Sequence, residues 1–361
     1  MPFPADYGGV IDVFYRIKAL HELRVMVHLH CFEYGRGRQP ELEKYCASVN
    51  YFERHVGWKG FSFRLPYIVY SRRSKKLLKN LCMDDHPILL EGVHCTHFLL
   101  AHPLNNRKVF VRLQNIEHEY YHNLSMSKVS YFKRAYYFFE SRLLKNYEKR
   151  IAGKARFFGI TPGDVATAEA ILGKGATRYL PAFVPFDTVS VKEGIGEYCL
   201  YHGNLSVAEN EKAAAWLCQH VFARLNIPLI IAGKNPSEKL VRIIDQSKNC
   251  SLQPNLPEEK MNDLIRNAQV NILPSFNSTG IKIKLLHALF NGRHCVVNKA
   301  SVHGTSLASL CCIADTPEEC IAAIEKLMDA PLTKMEMEKR ITVLKEFDNQ
   351  LNAEKLMQWI Q

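Results

Sequence analysis

Residues 274–292 read PSFNSTGIKIKLLHALFNG and join a polar, glycine-containing loop to an apolar stretch. Leucines recur in this stretch with helical spacing, which predicts a helix that begins near Ile281 and ends at Gly292. Lys284 and His287 fall three residues apart on another face of that helix. Because a helix N-terminus attracts anions, this arrangement predicts a diphosphate site. The alternative is a solvated helix face.

On both sides of this segment, short β-branched runs alternate with amphipathic stretches. Such alternation favours parallel sheets covered by helices, and two series of it predict an α/β protein with two doubly wound domains. We predict a first domain over 1–180 that also includes a C-terminal helix over 340–361, a linker over 181–197 and a second domain over 198–339. The predicted strands are 25–29, 88–90, 109–113, 157–160, 198–201, 229–232, 270–273 and 295–297, and the clearest predicted helices are 10–21, 131–149, 210–225, 237–247 and 282–291.

Composition excludes several classes of protein. The 361 residues are 47% hydrophobic and 23% charged, which is ordinary for a globular chain and excludes a disordered tail or a fibre. No apolar run approaches the ~20 residues needed to span a bilayer. The eleven cysteines are scattered, which favours small buried side chains in a reducing compartment over a metal site. We therefore expect a cytoplasmic protein without a metal.

The charge is strongly positive and unevenly distributed. Lys and Arg number 47 and Asp and Glu 36, a net charge of +11 that favours an anionic partner. Residues 128–156 hold nine basic and two acidic side chains together with seven aromatic ones. This segment predicts peripheral contact with anionic lipid at the inner face of a membrane. Aromatic core residues beneath a solvated basic face are the alternative. No nucleic-acid-binding motif is present, and we predict no nucleic-acid partner.

Three further glycine-containing turns are placed where parallel α/β domains bind ligands. Gly8 and Gly9 precede a predicted helix, and Gly203 and Asn204 follow the predicted strand 198–201. Lys234 follows a third turn, at the end of the next strand. A plain turn or a solvated lysine remains the alternative at each place. No G-x-G-x-x-G is present, so the sequence does not predict a dinucleotide site.

The order of these segments resembles that of GT-B glycosyltransferases, most of all the retaining bacterial GT4 type. Residues 198–298 run through a strand, a G-x-L turn, a helix, a strand ending in Ala-Gly, a Pro-Ser loop and a second helix. The glycine pair resembles the family's N-terminal glycine loop, and His94 follows a strand where the family often has a cleft histidine. The resemblance implies two Rossmann-like domains that face a cleft, with a C-terminal helix that crosses back to the first domain.

The resemblance also implies an activity and a set of site residues. It implies metal-independent transfer of a sugar from a nucleotide-diphosphate sugar to a glycan or lipid-linked acceptor in polysaccharide biosynthesis, without a cofactor. It assigns catalytic roles to His94, Lys284 and His287. The implied donor-binding residues are Gly8, Gly9, Gly203, Asn204, Lys234, Thr279, Gly280, Ile281, Lys284 and His287.

The chain departs from the family at several charged positions. The two glutamates of the family's motif correspond here to Thr279 and His287, and its usual Arg and Lys after the G-x-L strand correspond to Asn204 and Glu209. Thr and His hydrogen-bond more weakly than carboxylates do. These differences leave two alternatives open: a catalytically weak or inactive GT-B binding protein, and a nucleotide-sugar 2-epimerase.

The beginning of the chain differs as well. In the family, the glycine loop follows the first, central β-strand of the sheet, whereas here Met1 already lies in the loop. Loss of a central strand would leave backbone groups of its neighbours unpaired, at ~1–3 kcal/mol for each buried group. We therefore expect the native chain to begin upstream, with one more strand.

Overall fold

A computed structural model describes residues 1–33, 35–101, 107–126 and 130–361. Lys128, part of the predicted basic segment, lies outside these residues. The chain divides into two compact units, Met1–Pro185 with Phe347–Gln361 and Phe186–Glu346. The division falls inside the predicted linker, where residues 181–197 form neither helix nor strand.

Both units consist of strands alternating with helices, as the sequence pattern predicts. In the first unit the strands are β1 (His28–Glu33), β2 (Ser48–Glu53), β3 (Ile88–Glu91), β4 (Val109–Leu113), β5 (Arg156–Gly159) and β6 (Thr177–Tyr179). Its helices are α1 (Gly8–Glu22), α2 (Tyr67–Tyr70), α3 (Lys75–Leu81), α4 (Phe98–Ala101), α5 (Glu117–Met126), α6 (Tyr131–Ile151) and α7 (Pro162–Leu172), with α15 (Asn349–Ile360) at the end of the chain. In the second unit the strands are β7 (Cys199–Asn204), β8 (Leu229–Lys234), β9 (Cys250–Pro254), β10 (Val270–Ile272), β11 (His294–Val297) and β12 (Cys312–Ile313). Its helices are α8 (Ala208–Trp216), α9 (Glu238–Asp245), α10 (Glu258–Asn267), α11 (Ile283–Asn291), α12 (Lys299–Val302), α13 (Pro317–Met328) and α14 (Lys334–Leu344).

The strands of the first unit form two parallel sheets. One has the order β1-β2 and the other β3-β4-β5-β6, so that β1 and β3 are edge strands of different sheets. Residues 1–7 form neither a helix nor a strand. The additional strand expected upstream of Met1 stays a prediction.

A buried cluster of charged side chains connects α1 to β4 in the first unit by hydrogen bonds. Asp12 accepts hydrogen bonds from Arg112 (2.9 Å to Nη2), Arg16 (3.1 Å), Gln114 (2.9 Å) and the backbone N–H of Phe183 (2.9 Å). Despite burial, the two guanidinium groups hold the pKa of Asp12 well below its usual range. The cluster fixes the position of α1, which starts at the predicted glycine pair.

The last helix of the chain packs into the first unit, as the resemblance implies. The ring of Trp359 in α15 stacks on Phe158 in β5 at 5.5 Å, and Asn349 Oδ1 accepts from the N–H of Val184 at 3.0 Å. The predicted C-terminal helix over 340–361 is divided in the structure. Its beginning belongs to α14 in the second unit, and only the part from residue 347 joins the first unit.

The second unit has one six-stranded parallel sheet with the strand order β12-β11-β10-β7-β8-β9. Counted from its own first strand, this is the 3-2-1-4-5-6 order of a Rossmann sheet. The order reverses between β7 and β10, which are hydrogen-bonded neighbours. In open parallel sheets, ligands bind beyond the carboxyl ends of the strands at such a reversal. The loop 274–282 follows β10. The predicted turn at Gly203 is wrong, because β7 continues through Gly203 to Asn204.

Candidate functional site

Helix α11 places Lys284 at the strand reversal of the second unit. It begins at Ile283, two residues later than predicted, and its N-cap Lys282 makes no side-chain cap hydrogen bond. The first turn of α11 contains no acidic residue. Its backbone N–H groups and their positive partial charge are therefore free of a capping carboxylate, which favours an anion.

The ammonium group of Lys284 is held by neutral acceptors. Its Nζ donates to Asn210 Oδ1 at 2.9 Å and to Tyr201 OH at 3.2 Å, and it lies 4.8 Å from the centre of the Tyr201 ring. Burial lowers the pKa of Lys284 to about 8, against the attraction of Glu209. Glu209 itself accepts from Ser275 Oγ at 2.5 Å. Within the described chain Lys284 has no ion pair, so its charge is available to a ligand.

His287 lies one turn further along α11, in a different environment. Its ring stacks on Phe186 at 4.7 Å, and Nε2 lies 2.6 Å from Asn262 Oδ1. Burial, with a contribution from Arg266, lowers the pKa of His287 to about 4. The ring is therefore neutral at pH 7 and donates from Nε2 to Asn262. Lys284 and His287 are half-buried and each is held by side chains of other elements, which argues against a solvated helix face for these two residues.

His202 is a site residue that the sequence analysis did not assign. It lies in β7 directly before Gly203, and its ring meets His287 edge-on at 5.8 Å. Burial holds the pKa of His202 well below its usual range, and His287 and Lys284 add to this effect. Its Nε2 is buried without a hydrogen-bond partner among the described residues. A buried polar atom of this kind is costly unless water or a ligand satisfies it. Only its place in the strand-turn motif could have drawn attention to it.

The last residues of β7 and β8 lie side by side and belong to the strands, not to the turns predicted there. Gly203 pairs with Gly233 and Asn204 with Lys234 in the parallel register. A Cβ added at Gly233 would fall 1.9 Å from the carbonyl oxygen of Gly203, so the two strands approach as closely as they do because Gly233 lacks a side chain. The side chain of Lys234 is exposed, as the solvated-lysine alternative predicts.

The loop before α11 carries the other predicted donor-binding residues. Asn277 Oδ1 accepts from both the N–H and the hydroxyl of Thr279, each at 2.9 Å. Gly280 has a φ of +64°, a conformation that favours glycine. Lys282 Nζ donates to the carbonyl of Thr279 at 2.6 Å. Thr279, Gly280 and Ile281 are half-buried, and the loop is ordered by its own polar groups.

The remaining predicted residues lie in the first unit. Gly8 and Gly9 form the first turn of α1 rather than a loop before it, and a Cβ at Gly9 would make only ordinary contacts, the closest at 3.8 Å with Gln114. His94 lies in a 3₁₀ turn after Gly92. Burial, followed by Arg72, holds the pKa of His94 well below its usual range, so its ring is neutral at pH 7.

No group of three or more His, Cys, Asp or Glu side chains among the described residues could hold a metal ion. No described helix is long and apolar enough to cross a membrane.

Comparison with known proteins identifies relatives of this architecture. Residues 196–330 match the family model of glycosyl transferases group 1. A Klebsiella pneumoniae protein, "Uncharacterized 44.6 kDa protein in cps region", is 25% identical over 327 residues, which are 84% of this chain and 82% of that protein.

Solved structures show the fold over nearly the whole chain. Sucrose-phosphate synthase from Thermosynechococcus elongatus superposes with a TM-score of 0.69 at 13% identity, covering 98% of this chain and 92% of that one. HepE from Anabaena, in complex with UDP and glucose, gives 0.63 at 13% identity over 98% and 97%. The match to TarM (TM-score 0.56, 12% identity) covers 81% of this chain but only 57% of that longer one.

The chain therefore has the GT-B fold of glycosyltransferases, with a Rossmann-like sheet in its second unit. The segment 196–330 that matches the glycosyl transferases group 1 model contains Lys284, His287 and His202. Fold and family match together support sugar transfer as the general activity.

Proposed function

We propose that this protein transfers a sugar from a nucleotide-diphosphate sugar to a glycan or lipid-linked acceptor, with retention of configuration and without a metal. The half-buried Lys284 near the N-terminus of α11, whose ammonium forms no ion pair with a described residue, carries this proposal. A retained positive charge and N–H dipoles in a water-poor site stabilise the negative charge that develops on a leaving diphosphate. Two structures of similar fold agree in kind: HepE is in complex with UDP and glucose, and a TarM structure contains UDP and alpha-GlcNAc-glycerol.

In this proposal Thr279 and His287, which stand at the two glutamate positions of the family, act as neutral groups. His287 is a neutral ring fixed by Phe186 and Asn262, and Thr279 is turned towards Asn277. His202 Nε2 offers a further polar contact at the strand reversal. The donor site then depends on Lys284 for charge and on His202, His287 and the nearby backbone for hydrogen bonds. His94, in the first unit, acts on the acceptor side.

The acceptor side includes a surface suited to lipid. At the beginning of α6, Tyr131 and Phe132 are 87% and 91% exposed, and Phe138 and Phe139 further along are exposed as well. Basic side chains such as Arg134 share this part of the helix. Exposed aromatic rings beside basic groups suit the headgroup region of an anionic membrane. Peripheral contact through 128–156 at the inner face of the membrane is therefore part of the proposal. The cps region in the name of the Klebsiella relative supports a role in polysaccharide biosynthesis.

Product analysis tests the proposed reaction. The protein is incubated with a panel of radiolabelled nucleotide sugars, with and without membrane extract as acceptor, in the presence of a metal chelator. We expect labelled sugar to enter a glycan or lipid fraction, and the Lys284→Ala variant to lose this transfer while it keeps its circular dichroism spectrum. Lys239→Ala, which removes an exposed lysine from α9, is the matched control and should transfer normally.

The same assay separates the alternatives. Conversion of the labelled nucleotide sugar into its 2-epimer without acceptor would identify an epimerase. Nucleotide-sugar binding without any product would identify a binding protein. Either result contradicts the transferase proposal.

A further inference from the structure

The first unit contains a second site with the character of an anion-binding cavity. The cavity measures about 390 Å³, within the roughly 300–1,000 Å³ typical of small-molecule sites. Five basic side chains line it: His55, Arg72, Arg73, Lys75 and His97. None of its ten lining residues carries a carboxylate.

Backbone carbonyl groups hold the two arginines of the lining in place. Arg72 Nη1 donates to the carbonyl of Ile68 at 2.7 Å. Arg73 Nη1 donates to the carbonyl of Tyr70 at 3.0 Å, and its guanidinium lies 3.9 Å from the centre of the Tyr70 ring. Neither Arg73 nor Lys75 forms an ion pair with a described residue. Fixed guanidinium groups recognise phosphate well because they present several N–H donors in one plane.

Further charged groups surround the cavity. Arg72 and, more weakly, Arg54 act on the ring of His94 and favour its neutral form. One acidic group on which Arg72 acts is Glu117. Burial, together with Glu148, raises the pKa of Glu117 to about 7, so this carboxyl offsets the positive charge only in part at neutral pH.

The rest of the lining indicates what the anion is attached to. Leu77, Leu78 and Phe98 add apolar side chains to the lining. Next to His55 along the chain, Val56 and Trp58 are 64% and 90% exposed. A free inorganic anion would contact only the basic residues of the lining. A phosphate ester with an apolar group would contact the basic and the apolar residues.

We propose that this cavity binds the phosphate group of the acceptor, a phosphate ester with an apolar organic part. The identification of the ligand as the acceptor rests on the proposed function. The phosphate site itself is argued from its lining residues alone. It adds a ligand class that neither the strand reversal nor the family match assigns. It also places acceptor recognition on Arg73 and Lys75, which the sequence analysis did not single out.

The test compares two neighbouring lysines. Geranyl phosphate, a short phosphate ester with an apolar chain, is titrated into the full chain by calorimetry, with inorganic phosphate in parallel. We expect Lys75→Ala and Arg73→Gln to weaken geranyl phosphate binding by on the order of tenfold or more, because each removes a charge-assisted contact. Lys76→Ala removes an exposed lysine that does not line the cavity and should bind as the unmodified chain does. Unchanged unfolding temperatures show that each variant folds.

Several outcomes would overturn the inference. If the Lys75 and Lys76 variants lose equal affinity for geranyl phosphate, the binding is general charge attraction. If inorganic phosphate binds as tightly as geranyl phosphate, the site is one for a free anion. Nucleotide-sugar binding is measured on the same samples and should not change in Arg73→Gln. If nucleotide sugars bind but geranyl phosphate does not, only this inference fails. If geranyl phosphate binds but no nucleotide sugar does, the proposed function fails and the phosphate site stands.

Discussion

Lys284 in α11 donates a 2.9 Å hydrogen bond to Asn210 Oδ1 in α8. The two helices follow β10 and β7, the strands between which the sheet order reverses. This contact therefore joins the two sides of the crevice where a Rossmann sheet binds its ligand. Since Asn210 is neutral, it orients the ammonium without cancelling its charge.

Replacement of Asn210 by aspartate tests whether that neutrality matters. Asn210→Asp places a carboxylate against Lys284, which raises the pKa of the lysine and competes with a diphosphate for its charge. We expect UDP affinity to fall by roughly tenfold or more, measured by calorimetry. Gln253→Glu makes the same charge change on the exposed edge strand β9 and should leave the affinity nearly unchanged. Unaltered binding in Asn210→Asp would mean that Lys284 does not meet the diphosphate.

The titration of Lys284 predicts a pH dependence of ligand binding. Its folded pKa of about 8 means that the free protein loses this positive charge as the pH rises from 7 to 9. A bound diphosphate favours the charged form, so UDP affinity should fall over this interval by up to about tenfold, one pKa unit being 1.36 kcal/mol. Lys284→Arg keeps its charge throughout and should bind with a flat profile. A slope of equal size in Lys284→Arg would contradict the assignment.

Two glycine substitutions distinguish packing from ligand contact. Gly233→Ala drives a Cβ to within 1.9 Å of the Gly203 carbonyl, and we expect it to destabilise the fold by ~1–3 kcal/mol or more in urea unfolding. Gly9→Ala adds a methyl group at an unobstructed position in the first turn of α1 and should not destabilise the chain. A stable Gly233→Ala would show that β7 and β8 can separate there. Any loss of activity in Gly9→Ala then reports on its role in the site.

Elements with strong apolar periodicity were predictable from sequence. Strand β4 has its predicted bounds, and α1 extends the predicted helix 10–21 by two residues at the beginning and one at the end. Strand β1 lies about three residues later than the apolar run 25–29. Strands β2 and β9 were not predicted, because their residues SVNYFE and CSLQP lack an apolar run. Strand β9 lies at the edge of the sheet, where a strand is less buried and does not need an apolar run.

The candidate site was predictable in part. Helical spacing alone brought Lys284 and His287 to one region. Their partners Asn210, Phe186 and Asn262 are 74, 101 and 25 residues away along the chain. Contacts over such separations depend on tertiary packing and leave no local pattern in a single sequence. For the same reason, no motif predicted the basic cavity of the first unit.

Calorimetric titration of UDP into three proteins, the unmodified chain, Lys284→Ala and Lys239→Ala, tests the central claim most directly. Loss of a charge-assisted contact worth ~1.5–3 kcal/mol predicts roughly 10- to 150-fold weaker binding for Lys284→Ala. Lys239→Ala should keep the original affinity. Equal affinities in all three proteins, with all three folded, would contradict the account that Lys284 holds the diphosphate.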